Sequence, residues 1–246
     1  MSKTRINILI PMPFWHPATS EFIEELKKRG FSVVALDIWS FTYFDENEEY
    51  HNLVPNFLKG FFAKVYKRIS RKYIIKKHIQ KSDIVDIQWC GYYYSKYILF
   101  VKKRTSKLIA TLFGSDFYRA TNEERKIQAK IFEEADIVVI GPNMKEDFLE
   151  VFPHIENKIS FGQYGSQRLD IIDEINTEEN RKAFREKYSI PQDKIVVSVG
   201  YNAKKEQQHL KFLKLLDSLS QDKKDKLLLF FPLTYGKEGN YINELK

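Results

Sequence analysis

Short apolar runs alternate with longer amphipathic stretches along this chain, and that alternation limits the fold more than any other feature. INILI (6–10) is followed by a Pro-rich loop, PMPFWHPATS. The helix-like EFIEELKKRG comes next, with Ser20 as its cap and Gly30 as its end, and FSVVALDI reads as a second strand. Strand, helix and strand in this order predict a right-handed crossover and a parallel sheet. IVDIQW (84–89), a helix from about Tyr94 to Lys103, and KLIATLFG (107–114) extend the series. A helix near 122–134, DIVVIG (136–141), a helix over 143–151 and KISFGQYG (158–165) complete it.

The texture changes at LDIIDEINTEEN (169–180), which is acidic and has no core pattern, so it reads as a linker. The alternation then restarts with RKAFREKYSI, KIVVSVG (194–200), a helix from about Glu206 to Leu219, KLLLFF (226–231) and a helical turn beginning at Asn240. The expectation is an α/β chain of two Rossmann-like parallel-sheet domains, residues 1–168 and 181–246. The second is incomplete, because a parallel sheet covered on both faces needs more than two strands. A shortened second lobe docked on the first is the alternative.

With 43% hydrophobic, 30% charged and 15% aromatic residues, the 246-residue chain has the composition of a folded protein. Cys90 is the single cysteine, which excludes an internal disulfide and a cysteine-cluster metal site. No long uncharged apolar run marks a spanning helix or signal peptide. The net charge of +7 is concentrated in KGFFAKVYKRISRKYIIKKHIQK (59–81), which holds nine Lys or Arg and no acid, with aromatic and aliphatic residues at helical spacing. Such a helix suits an anionic membrane surface, with Lys67, Arg68, Arg71 and Lys72 as contacts. It equally suits a basic surface helix whose apolar stripe is buried in the core. No nucleic-acid motif accompanies the patch, so nucleic acid is not expected as a partner.

Two α/β units joined by a linker resemble the GT-B glycosyltransferases. TLFGSDFYRA (111–120) is similar to the Gly-Ser-Asp segment that follows a strand in the first domain of bacterial family 4 members. KYSIPQDKIVVSVGYNAKKEQQHLKFLKLL resembles the entry to their donor domain. PLTYGKEGNYINELK resembles the Pro-Leu-x-Tyr segment of the N-acetylfucosaminyltransferases of enterobacterial common antigen synthesis. The resemblance implies transfer of a sugar from a nucleotide-sugar donor to a lipid-linked saccharide acceptor, in bacterial surface polysaccharide synthesis. It implies a cytoplasmic protein peripheral on the inner face of the cell membrane, and a chain truncated in its second domain. A non-catalytic or partner-dependent nucleotide-sugar-binding module is the alternative.

Sugar transfer requires a neutralised diphosphate leaving group, a stabilised oxocarbenium-like centre and a positioned acceptor hydroxyl. GT-B enzymes meet the first need with helix N-termini and basic side chains, and no Asp-x-Asp segment occurs here, so neither a divalent metal nor another cofactor is expected. The turn after KIVVSVG is the phosphate candidate, with Gly200, Tyr201, Asn202, Lys204 and Lys205; an ordinary solvated loop is the alternative. Thr234, Tyr235 and Gly236, after KLLLFF, belong to the same edge. In the first domain His16 is a candidate base or a packed loop residue. Asp116 is a candidate acceptor of the proton or a turn cap. Ser115 and Arg119 are acceptor-side candidates. Phe113 stands where some relatives carry His.

Overall fold

The computed structural model describes residues 3–10, 17–45, 50–79, 81–162, 167–236 and 239–245. The chain divides into two compact units, Met1–Gln167 and Arg168–Lys246.

In the first unit β1 (Arg5–Ile10) leads through α1 (Pro17–Lys28) to β2 (Ser32–Asp37). Ser20 lies inside α1 rather than capping it, since helix already covers Pro17. The C-terminus follows the expectation: Gly30 takes φ 88°, its N–H reaches the Lys27 carbonyl, and the Phe31 N–H reaches that of Leu26. These two bonds form the left-handed helix stop that glycine makes cheaply. A hairpin that the sequence pattern did not disclose follows: β3 (Thr42–Phe44) and β4 (Tyr50–Asn52).

The unit continues with α2 (Gly60–His78), β5 (Ser82–Gln88), a 3-10 turn over Tyr92–Lys96 and α3 (Ile98–Lys102). The single helix expected over 94–103 is thus two short pieces. Then come β6 (Thr105–Thr111), α4 (Ser115–Tyr118), α5 (Asn122–Glu134), β7 (Ile137–Ile140), α6 (Lys145–Val151) and β8 (Ile159–Phe161). A reciprocal capping box between Thr121 and Glu124 starts α5.

The eight strands form one sheet in the order β4-β3-β2-β1-β5-β6-β7-β8. All pairs from β2 to β8 are parallel; β3 and β4 add an antiparallel edge. One face packs Leu9, Val85, Ile87, Leu108, Ala110 and Val138 against Ile74, Ile75, Ile98, Val101, Ile131, Phe132 and Phe148 of the helices. The other packs Ile6, Ile8, Ile10, Val33 and Ala35 against Ile23 of α1.

In the second unit the acidic segment read as a linker is helical. It forms α7 (Gln167–Ile175), with Leu169, Ile171, Ile172 and Ile175 exposed, and is followed by α8 (Glu178–Lys187). β9 (Ile195–Ser198) pairs in parallel with β10 (Leu227–Phe230), linked by α9 (His209–Asp217) and a short turn over Gln221–Lys224. The helix expected from Glu206 starts at His209, because Gln208 adopts a left-handed φ of 55° after a 3-10 turn. A final turn covers Tyr241–Glu244.

Candidate functional site

Polar and glycine-bearing loops collect at strand ends in both units. In the first, the strand order reverses at β1, flanked by β2 and β5, and open α/β sheets place ligands beyond the carboxyl ends at such a reversal. His16 lies outside the described residues. In the loop after β5, Trp89 takes φ 56° and stacks on Phe113 with centroids 5.7 Å apart.

Asp116, in the first turn of α4, is buried. Its Oδ2 accepts the Cys90 N–H at 2.8 Å and its Oδ1 the Phe113 N–H at 3.0 Å. Gln128 of α5 adds two bonds of 2.8 Å from Nε2 to the carbonyls of Cys90 and Asp116. The turn-capping geometry named as one option for Asp116 is therefore present. Burial pushes its carboxyl up to about 6, against the backbone bonds that favour the ionised form. Ser115, half-buried, occupies the same turn, and the exposed Arg119 ends it.

Asp86 was missed by sequence reasoning and shares this behaviour. It is buried within β5, where Oδ1 accepts Thr111 Oγ1–H at 2.7 Å and Oδ2 accepts Gln88 Nε2–H at 2.9 Å. Burial pushes it up to about 6, opposed by those two bonds. The signal was legible: in IVDIQW, Asp86 and Gln88 recur at period two inside an otherwise apolar strand.

The second unit brings together the two loops expected to hold the donor. Val199 N–H reaches the Phe230 carbonyl at 2.8 Å, and Ala203 N–H reaches that of Tyr235 at 2.7 Å, so the loops after β9 and β10 are zipped to one another. Gly200 takes φ 69°. Asn202, buried, accepts the Lys204 N–H at 2.9 Å. The Thr234 hydroxyl lies 3.5 Å from the Tyr201 carbonyl, and the rings of Tyr201 and Tyr235 are 6.4 Å apart. The Lys204 stem lies over Gly236, where an added Cβ would meet Cγ at 2.7 Å.

A groove of about 500 Å³ opens beside this loop, lined by Ser198, Gly200, Glu206, Gln207, Lys211 and Phe212 among others. Lys204 and Lys205 do not line it; Lys205 Nζ sits 5.7 Å from the Tyr241 ring centroid. Lys211, which faces the groove from α9, was not singled out from the sequence. Tyr201 N–H donates to Gln207 Oε1 at 3.3 Å.

The apolar residues of α2 divide between the core and the surface. Only Ile74 and Ile75 are buried; Phe61 (73% exposed), Phe62, Ile69 (77% exposed) and Tyr73 face outward. Of the four cations selected as contacts, Arg68 and Lys72 are exposed, as is Lys64. Lys67 instead donates to the carbonyls of Trp39 and Ser40 at 3.1 and 2.9 Å, and Arg71 stacks on Trp39 and Phe41. Their aliphatic stems reach back over the helix flank to the turn that Asp37 caps through the Trp39 and Ser40 N–H groups. Among the described residues no helix is long and apolar enough to cross a membrane, and no three His, Cys, Asp or Glu side chains converge as metal ligands.

A glycosyltransferase from Rickettsia africae ESF-5 has a similar structure. It is matched over 99% of this chain and 71% of its own, with a TM-score of 0.56 and 19% identity. The fold is of the GT-B type. Sucrose-phosphate synthase from Thermosynechococcus elongatus is similar over 98% of this chain and 72% of its own, with a TM-score of 0.53 and 9% identity. At these identities the likeness is one of fold. No family model and no curated protein sequence matches the chain.

Proposed function

We propose that the chain is a glycosyltransferase that moves a sugar from a nucleotide-sugar donor to a lipid-linked saccharide acceptor in bacterial surface polysaccharide synthesis. The observation that carries this reading is the zipped pair of strand-end loops in the second unit, with Gly200 at its apex and the groove beneath α9 beside it. Backbone N–H groups of the loop and of the first turn of α9, with Lys211, are the groups that would neutralise the departing nucleoside diphosphate. Tyr201 and Tyr235, both more than half exposed, offer rings for stacking on the base or sugar.

In the first unit the acceptor hydroxyl would lose its proton to Asp116, whose raised affinity for protons suits general-base work near neutral pH. His16 is the second candidate for that role. The acceptor oxygen then attacks the anomeric carbon, the bond to the diphosphate breaks, and its electron pair leaves on the phosphate. Helix α2, with Phe61, Phe62 and Ile69 outward among Lys64, Arg68 and Lys72, would hold the protein on anionic lipid at the inner face of the cell membrane.

The exposed apolar residues of β9 and β10, Ile195, Val196 and Phe230, favour one further reading: a nucleotide-sugar-binding module that needs a partner chain. Titration with UDP- and TDP-sugars, followed by transfer to polyprenyl-diphosphate saccharides, separates the two. Binding with turnover supports the enzyme, binding without turnover the module, and no binding rejects both.

A further inference from the structure

His209 opens α9 and is fully buried, between the rings of Phe231 and Tyr241 at 5.9 and 5.8 Å. Its Nδ1 lies 3.2 Å from the Tyr241 hydroxyl, which fixes the plane of the imidazole. Its Nε2 is buried with no hydrogen-bond partner among the described residues. That atom is aimed at the phosphate loop: a Cβ built on Gly200 would sit 2.6 Å from it. Mere filling of this space would be served by an aliphatic or phenyl side chain, which leaves no polar atom stranded. A stranded nitrogen directly beneath the backbone of a loop that borders a groove is a feature calling for a role.

We propose that His209 is the positioning residue of the donor loop. Its imidazole, held by Tyr241, supports Gly200 from below and sets how residues 199–203 present their backbone to an anionic diphosphate; Nε2 is the partner the loop takes up when the anion is bound. The proposal rests on the donor-site reading above. It explains three local facts together. Gly200 has a left-handed φ and no room for a side chain, the first residue of α9 is an imidazole and not an aliphatic, and the turn over Tyr241–Glu244 reaches back under the loop. His209 touches no ligand itself, since it is wholly covered, so its action is through Gly200.

The test titrates inorganic pyrophosphate and UDP or TDP into the wild-type protein and into His209→Phe, His209→Gln and Tyr241→Phe. Thermal unfolding is followed alongside, together with the imidazole nitrogen resonances of His209. The expected result is pyrophosphate binding weakened about tenfold in the His209 variants and about threefold in Tyr241→Phe, with unfolding temperatures little changed. In the wild type the Nε2 resonance moves on adding pyrophosphate. Binding within about twofold of wild type in a folded His209 variant overturns the proposal, as does a resonance that stays still. Should the His209 variants not fold, Tyr241→Phe decides, and unaltered affinity there is equally fatal. A wild-type protein that binds neither probe removes the donor-site reading, and His209's role with it; binding that is indifferent to His209 removes only the latter.

Discussion

The Cys90 backbone N–H donates to Asp116 Oδ2 at 2.8 Å, so one buried carboxylate ties the loop after β5 to the turn after β6. Asp116→Ala strands this N–H and that of Phe113, each costing about 1–3 kcal/mol when buried. Asp116→Asn keeps one accepting oxygen and strands one N–H where Ala strands two, so it should cost less stability than Ala. If Asp116 removes the acceptor proton, transfer by the Asn variant falls about a hundredfold or more, with donor affinity unchanged. Loss of activity only in step with the unfolding temperature would mark a purely structural residue.

The pH dependence has a definite sign. Asp86 and Asp116 both titrate at about 6 in the folded protein, against 3.8 for an ordinary aspartate. The folded state then binds more protons than the unfolded chain between these values. Their contribution is fully present below about pH 3.8 and is lost as pH rises through 6. Each group should add about 1 kcal/mol on going from pH 7 to pH 5. Asp86→Asn is expected to remove about 2–4 °C of the corresponding rise in Tm, measured by thermal unfolding at both pH values.

Gly200 and His209 should be coupled in stability as well as in binding. Gly200→Ala meets a left-handed φ, crowding by the Gln207 side chain at 3.1 Å and, closest at 2.6 Å, collision with the imidazole. In a His209→Ala background the collision with the imidazole is gone, while the φ and Gln207 remain. A double-mutant cycle on urea unfolding should show the alanine costing at least about 1 kcal/mol less in that background. Additive effects would mean that the loop already stands clear of the ring.

Lys211, not Lys205, is the expected diphosphate cation. Lys211 lines the groove with Gly200, whereas the Lys205 ammonium lies against the Tyr241 ring. Lys211→Ala should weaken pyrophosphate binding about tenfold and Lys205→Ala less than threefold or so, read by calorimetry. The reverse order would move the anion to the other side of the loop.

Membrane attachment is tested on the outward residues of α2 alone. Lys64, Arg68 and Lys72 changed together to Glu should lower partitioning onto vesicles containing anionic phospholipid by about two orders of magnitude. Phe61 and Ile69 changed to Ser should do the same on neutral vesicles wherever attachment is measurable. Thermal unfolding stays as in the wild type, because these side chains touch solvent. Equal sedimentation of the variants and the wild type would reject the membrane role.

The sequence disclosed what periodicity encodes. Each parallel strand from INILI to KLLLFF shows as an apolar run, and Gly30 and Gly200 mark backbone turns that other residues resist. It did not disclose the β3–β4 hairpin, whose short strands, TYF and YHN, sit among polar and acidic residues and stand out as no apolar run. Whether the aromatic stripe of α2 faced the core or the outside was undecidable, since spacing alone says which residues share a face and not what covers it. Asp86 and His209 were hidden for a related reason. Their meaning comes from burial and from what stands opposite, Thr111 for one and Gly200 for the other, and neither is adjacent in the chain.

Helix α2 spends its cations in two directions, Lys67 gripping the Trp39 and Ser40 carbonyls while Arg68, its immediate neighbour, looks outward. A pull on the outer row is therefore transmitted within one residue to the rim of β2. The outer row of α2 and the turn that follows β2 are thereby mechanically joined, so a force that lifts the helix is felt where β2 ends.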